Sequence, residues 1–175
     1  RFKNPKDISY PKQIELFSRK SDVLKYNDVD RLIPIHISDE VSSLSAILLN
    51  EEYYQLLTSG LIRIDEIQIL NYTHIIPFKA KAWIDLKTRK ENGENIDSSD
   101  IKKHKYDVFR LSQLIVETDR IELTEKIKTD MTLFISQMES EDIALKDIGV
   151  SGSKDDILKL LKQIYMIEDN DESET

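Results

Sequence analysis

The sequence predicts an α+β protein in which a small N-terminal strand region is followed by a mostly α-helical bundle. Two observations support this prediction. Segments in which apolar and polar residues alternate, as they do along strands, are confined to the N-terminal part of the chain. Beyond them, apolar residues recur with helical spacing. With 175 residues, of which 39% are hydrophobic, the chain is long enough for one domain of ordinary size or two small ones.

The predicted strands come first. Residues 12–18 alternate between apolar and polar side chains, as a short strand does. Residues 31–37 are extended and apolar, but Pro34 has no backbone N–H to donate, so this segment is an edge strand or a loop. Residues 61–70 alternate as two short strands around a turn at Asp65–Glu66.

The first predicted helix covers residues 40–57. Its apolar stripe has helical spacing and consists of Val41, Leu44, Ile47 and Leu48. Ser38 or Asp39 can cap the start of this helix. Gly60 is the residue type that commonly ends one.

Two long helices are predicted next, over residues 75–91 and 99–116. The segment between them is polar and loop-like. Gly93 suits the C-cap of the first helix, and Asp97 or Ser98 suits the N-cap of the second.

The C-terminal part predicts two more helices. Residues 123–138 carry an apolar stripe of Ile127, Met131, Phe134, Ile135 and Met138. Ser153 caps the last helix, which covers residues 157–166.

The charge distribution favours a mildly acidic body with an acidic end. The net charge is −8, and five of these negative charges lie in residues 168–175, which leaves −3 for the rest. Such a body lacks the basic excess of a general nucleic-acid binder, so that function is the weakest alternative. We expect a strand-containing region over residues 1–72, a helical domain over 73–167 and a disordered acidic tail over 168–175.

Two further features of the composition bear on location. The chain has no cysteine, which fits a reducing compartment, and we expect a cytoplasmic protein. No apolar run approaches the roughly 20 residues of a membrane span, so no role in a membrane is expected. The chain begins without Met and reads as a piece of a longer protein.

The first long helix places a charge on its apolar face. On a helix that turns about 100° per residue, Lys79 shares one face with Ile76, Ala80, Trp83 and Leu86. The opposite, solvated face carries Lys81, Asp85 and Thr88. Lys79 either extends past the helix end into water or meets an anion, for which a phosphate is the best candidate.

The second long helix carries a cluster of charges. Asp100, Lys103, His104 and Asp107 are spaced i, i+3, i+4 and i+7, so they lie along one side. They either form ordinary ion pairs within the helix or act together with Lys79, if the two helices pack antiparallel. Glu15, between two apolar strand residues, either faces water or is a carboxylate ligand for a metal.

Residues 76–111 resemble the C-terminal signature of the AbiEii/AbiGii-type nucleotidyltransferases, polymerase-β-like proteins of abortive-infection and type IV toxin–antitoxin systems. The matching residues are Pro77, Lys79, Ala82, Lys103, Asp107 and Leu111. The stretch LIPIHISDEVSSLSAILLNEEYY is also similar to the middle of such proteins. The resemblance covers residues 12–116.

This resemblance implies a nucleotidyltransferase whose N-terminal half holds Mg²⁺ and a nucleoside triphosphate. Lys79 and Asp107 would then be catalytic, Lys79, Lys103 and His104 would bind the nucleotide, and Glu15 would be a metal ligand. The resemblance also implies a possible antitoxin protein and a nucleic-acid acceptor such as tRNA as partners.

Two functions therefore stay open. In the first, the chain is the C-terminal part of a nucleotidyltransferase-like protein. The full-length protein would then need Mg²⁺ and a nucleoside triphosphate, and this chain by itself would be inactive and would need no cofactor. Alternatively, it is a helical protein-interaction module without catalytic activity, whose helices dock an antitoxin or another protein through their apolar faces.

Overall fold

A computed structural model describes residues 44–168 without a gap. Before them it describes the backbone of residues 2–3, 7, 9, 13–14, 16–19 and 32–35. Side chains are described for residues 7, 9, 17–19 and 49–168. Glu15, Ser38 and Asp39 lie outside the described residues, as does the tail after Glu168.

The chain divides into two compact units, Arg1–Gln55 and Leu56–Thr175. The division follows packing alone, and the three-part organisation expected from the sequence stays a prediction. The fold class is α+β, as predicted: short strands are followed by a mostly helical remainder.

The first unit is built from strands. Its elements are β1 (Phe2–Lys3), β2 (Gln13–Ile14), β3 (Leu16–Arg19), β4 (Leu32–Ile35) and β5 (Leu44–Leu49). Strands β1 and β2 pair antiparallel. In the other sheet β5 is central, parallel to β3 and antiparallel to β4. Among the described strands, Pro34 therefore lies in an edge strand, where its missing N–H is tolerated, as the sequence predicts.

The helix predicted over residues 40–57 is wrong in its first half. Residues 44–49 form strand β5, and the helix that follows, α1, covers only Glu51–Ser59. A strand with neighbours on both sides carries a continuous apolar run, and such a run matches helical spacing by chance. The true start signal is Asn50, whose side chain accepts a hydrogen bond from the Tyr53 N–H at 2.9 Å.

A hairpin opens the second unit after Gly60. Strands β6 (Leu61–Ile64) and β7 (Ile67–Leu70) pair antiparallel, with Ile64 opposite Ile67. Asp65 and Glu66 form the turn with φ of 45° and 68°, the left-handed values that a two-residue hairpin turn requires. The predicted hairpin and its turn are confirmed.

Four helices complete the second unit: α2 (Tyr72–Glu91), α3 (Ser98–Ser112), α4 (Glu125–Ser140) and α5 (Lys154–Ile164). A short 3₁₀ helix covers Leu145–Ile148. Two predicted N-caps are confirmed: the side chains of Asp97 and Ser153 accept hydrogen bonds from the N–H groups of Ser99 and Asp156. The C-cap of α2 is Asn92 rather than the predicted Gly93, which follows it with a φ of 88°. Helix α3 ends at Ser112, one turn before the predicted end.

The core of this unit is centred on α2, which packs against both α3 and α4, while α5 packs against α4 and α3. The Trp83 and Phe134 rings meet edge to face with centroids 5.5 Å apart. The predicted α4 stripe is entirely buried and consists of Ile127, Met131, Phe134, Ile135 and Met138.

Because α2 is covered on two sides, the prediction of a solvated face opposite Lys79 is wrong for two residues. Lys81 reaches Asp130 of α4, with 2.8 Å between Nζ and Oδ1, and lies 3.7 Å from Asp85. The Asp85 and Asp130 side chains are only 17% and 13% exposed. The charges are tolerated between the helices because they are paired. Thr88 is exposed, as predicted.

Candidate functional site

Helices α2 and α3 bring Lys79 and Asp107 together. The Lys79 Nζ atom lies 2.8 Å from the Asp107 Oδ2 atom, and the two side chains are 29% and 21% exposed. Lys90 near the end of α2 contacts Ser98 at the start of α3, so the two helices run antiparallel. We refer below to Lys79, Lys103, His104 and Asp107 as the Lys79 cluster.

The second carboxylate oxygen of Asp107 faces another cation. Its Oδ1 atom lies 3.5 Å from Nη1 of Arg110, one turn further along α3. Arg110 also donates from Nε to the carbonyl oxygen of Ile148, at 3.3 Å. Asp107 is thus held between a cation from α2 and a cation from its own helix.

The other polar residues of the α3 cluster do not form the ion pairs that a purely structural interpretation predicts. Lys103 and Asp100 are exposed, and within the described part of the chain neither has an ion-pair partner. Lys103 therefore extends into water beside the Lys79–Asp107 pair. The structure places this predicted residue near the site but not in contact with it.

His104 is half-buried, and its Nδ1 atom is fully buried without a hydrogen-bond partner among the described residues. Burial lowers the pKa of His104, because a charged imidazolium loses hydration there. The positive charge of Lys79 lowers this pKa further, while the negative charge of Asp107 opposes the shift. The imidazole is therefore predominantly neutral near pH 7.

Glu15, the predicted metal ligand, lies outside the described residues. Over residues 44–168 and the shorter described stretches, no group of three or more histidine or acidic side chains is placed to hold a metal ion. The Lys79 cluster itself supplies one carboxylate that is already paired with two cations, which is a poor ligand set for Mg²⁺. The described residues thus do not fit a magnesium site.

A second charged cluster, which the sequence interpretation missed, surrounds Glu141 just beyond α4. The buried Lys105 of α3 places its Nζ atom 2.6 Å from the Glu141 Oε2 atom. Lys87 of α2 lies 3.9 Å from the same carboxylate and 4.7 Å from the centre of the Trp83 ring. The hydrogen bond from Lys105 lowers the pKa of Glu141. These ion pairs connect α2 and α3 to the C-terminal end of α4.

A signal for Lys105 was present in the sequence. Lys105 precedes Val108, Phe109 and Ser112 by three, four and seven residues, and all four are buried. The same reasoning that singled out Lys79 applies to it, because a lysine on a core face needs a partner.

The described residues also form an open surface cleft of about 430 Å³ near the end of α5. Its lining contains no residue of the Lys79 cluster and consists of Lys159, Lys162, Gln163, Met166, Ile167 and Glu168.

No helix among the described residues is both long enough and apolar enough to cross a membrane. A scan against protein-family models found no match, and searches of curated proteins and of solved structures found none either.

Proposed function

We propose that this chain is the C-terminal portion of a nucleotidyltransferase-like protein, and that its Lys79 cluster binds the triphosphate of a nucleoside triphosphate. The observation that carries the proposal is the contact between Lys79 and Asp107. These residues are 28 positions apart and lie on different helices, and their side chains meet between α2 and α3.

The charges around the contact favour an anionic ligand. Lys79, Lys103 and Arg110 outnumber Asp100 and Asp107, although the chain as a whole is acidic. A lysine ammonium has three N–H donors, and Asp107 occupies one of those of Lys79. Two donors are then available to phosphate oxygens on the partly exposed side of the ammonium.

In this proposal, each residue has a distinct part in nucleotidyl transfer. Lys79 neutralises the phosphate charge, and Asp107 holds the ammonium in place while no anion is bound. Exposed Lys103 adds long-range attraction for the anion. An acceptor hydroxyl gives up its proton to water and forms the new P–O bond at the α-phosphorus, and pyrophosphate leaves with the electron pair of the broken P–O bond. Because the described residues do not fit a magnesium site, we assign no step here to a metal.

The proposal extends to partners and location. It includes a nucleic-acid acceptor such as tRNA, a possible antitoxin protein and a cytoplasmic location. We expect this chain alone to bind triphosphate weakly and to show no turnover.

The proposal can be tested with inorganic tripolyphosphate and ATP by isothermal titration calorimetry on the 175-residue chain. We expect Lys79→Met to weaken binding about tenfold or more, because a charged hydrogen bond to phosphate is lost. Lys81→Met is the matched control, since Lys81 lies on the same helix, is 30% exposed against 29% for Lys79, and also pairs with an aspartate.

Two results would contradict the proposal. One is a wild-type chain that binds neither ligand. The other is an equal loss of affinity in Lys79→Met and Lys81→Met, which would indicate a general effect of charge rather than a site.

The protein-interaction module stays a second candidate because of the β6–β7 hairpin. Every residue of β6 and three of the four in β7 are exposed, although most are apolar. Ile64 and Ile67, which face each other beside the turn, are 50% and 65% exposed. An exposed apolar surface of this kind marks a site of association.

The hairpin candidate predicts that the chain associates through this surface. Replacing Ile64 and Ile67 with Thr should abolish concentration-dependent association in sedimentation velocity, because the apolar contact is removed and threonine still suits a strand. Lys79→Met should leave association unchanged. A wild-type chain that sediments as a monomer at all concentrations would contradict self-association through the hairpin.

A further inference from the structure

His104 occupies an unusual position within the Lys79 cluster. Its Nδ1 atom is buried and has no hydrogen-bond partner among the residues that the structure describes, although polar atoms of this kind are nearly always paired in folded proteins. A buried nitrogen cannot contact an incoming phosphate. The Nδ1 atom therefore cannot make the direct nucleotide contact that the sequence predicts for His104.

The charged groups that act on the ring come from both helices. They are Lys79 from α2 and Asp100, Lys103 and Asp107 from α3. Asp107 follows His104 by three residues, so the two side chains are neighbours on one side of the helix. Asp107 is also the carboxylate that holds the Lys79 ammonium, at 2.8 Å.

The helical spacing of His104 and Asp107, together with the Lys79–Asp107 pair, places His104 and Lys79 beside the same carboxylate. A neutral imidazole leaves Asp107 to Lys79. A protonated ring carries an N–H donor at both nitrogens, and the buried one requires an acceptor. Of the two carboxylates that neighbour the ring on α3, Asp100 is exposed, whereas Asp107 is 21% exposed and lies inside the cluster.

We propose that His104 is a positioning residue for the Lys79–Asp107 pair: the neutral ring leaves the pair closed, and protonation draws the carboxylate away and frees the Lys79 ammonium for a phosphate group. This regulation rests on the proposed function, because it concerns the same anion site. It implies that the site binds its ligand more tightly as the pH falls below the ordinary range of histidine.

The first test measures the pair itself and needs no ligand. The coupling between Lys79 and Asp107 is obtained from a double-mutant cycle of Lys79→Met and Asp107→Asn. Urea unfolding is measured at about pH 8, above the histidine range, and at a pH below the His104 pKa, which an NMR titration of the ring locates. We expect the coupling to be present at the higher pH and lost at the lower pH. In a His104→Gln background, which cannot be protonated, the coupling should persist at both.

The second test measures tripolyphosphate affinity at the same two pH values for wild type and His104→Gln. Protonation of the ligand affects both proteins equally and cancels in the ratio of their affinities. We expect this ratio to favour wild type by about fivefold or more at the lower pH and to be close to one at the higher pH. His74→Gln is the matched control, because His74 is half-buried in the same unit and its pKa is lowered by burial rather than by the charges of the cluster.

Each outcome has one meaning. A coupling that does not change with pH, or that changes equally in His104→Gln, overturns the role of His104 even if the ligand binds. If the coupling changes as expected but tripolyphosphate binds at neither pH, the proposed anion site fails and the competition for Asp107 stands. If His104→Gln does not fold, the Asp107 carboxyl carbon of wild type, followed by NMR, should show a titration step that coincides with that of the His104 ring. The lack of such a step overturns the proposal.

Discussion

The charges of the Lys79 cluster act on the His104 ring in opposite directions. Lys79 lowers the pKa of His104, and Asp107 raises it. Lys79→Met should therefore raise the pKa of His104 towards its ordinary value of 6.5, and Asp107→Asn should lower it further. Lys81→Met should leave it unchanged. NMR titration of the ring protons measures these shifts, and shifts of the same sign in both variants would contradict the geometry of the cluster.

The Lys105–Glu141 pair should respond asymmetrically to the loss of either partner. Lys105 is 9% exposed at its side chain, against 32% for Glu141. Glu141→Ala leaves a buried ammonium without its anion and should cost about 2–4 kcal/mol of the free energy of unfolding. Lys105→Met keeps the apolar volume, and the more exposed Glu141 retains Lys87 nearby, so the cost should be below about 1.5 kcal/mol. Urea unfolding measures both, and equal costs would contradict this assignment.

The two clusters show why a site is only partly predictable at the scale of residues. Lys79 and Asp107 were predictable because each stands at a definite position on an amphipathic helix. The pairing of Lys105 was not, since its partner Glu141 lies beyond the end of α4, where no periodicity applies. A charge on the apolar face of a helix identifies one member of such a pair in the sequence. The other member can be identified only from the three-dimensional structure.

At the scale of elements, the junction between α1 and α2 depends on a close contact at Gly60. A Cβ atom on Gly60 would lie 2.4 Å from the Cγ atom of the His74 ring, closer than any ordinary contact. Gly60→Ala should therefore cost about 1–3 kcal/mol of the free energy of unfolding, because the ring must move. In a His74→Ala background the same substitution should cost much less. Thermal or urea unfolding of the four proteins measures this, and equal costs in both backgrounds would show that the ring is not the obstacle.

The elements of this protein differ in how far their sequences determine their structure. The hairpin was predictable because a two-residue turn between alternating segments permits few arrangements. The helices of the second unit were predictable from their stripes and caps. Strand β5 was not, because its central place between β3 and β4 makes it apolar on both faces, and residues 44–48 then fit a helical stripe equally well.

At the scale of the whole molecule, the second unit is a bundle in which one central helix has two covered sides. Apolar residues such as Ile76 and Trp83 fill its interior, and paired charges join α2 to α3 and α4. The sequence does not distinguish a charge that faces water from one that faces a neighbouring helix. The stripe on α2 was therefore correctly assigned, while Lys81 and Asp85 were wrongly placed in solvent.

Titratable groups buried in this bundle limit its stability at both ends of the pH scale. Burial lowers the pKa values of His74 and His104 below 6.5, so the unfolded chain binds more protons than the folded one as the pH falls through this range. Stability is therefore lost on acidification. Glu141, whose pKa is held below 4.5 chiefly by the hydrogen bond from Lys105, adds a further loss at lower pH. Tyr165 affects the stability at alkaline pH, because burial raises its pKa well above 10.0.

We therefore expect the stability of the bundle to be greatest between about pH 6.5 and pH 10, the ordinary values of histidine and tyrosine. The buried tyrosine stays neutral while the unfolded chain ionises, so stability is complete below pH 10.0 and falls as the pH rises through the raised pKa. Fluorescence of Trp83, the one tryptophan of the chain, reports unfolding of this unit by urea across the pH range. Tyr165→Phe should reduce the loss of unfolding free energy at alkaline pH, and His104→Gln should reduce the loss at acid pH. An acid fall that is unchanged in both His104→Gln and His74→Gln would show that other groups control the stability of the folded bundle.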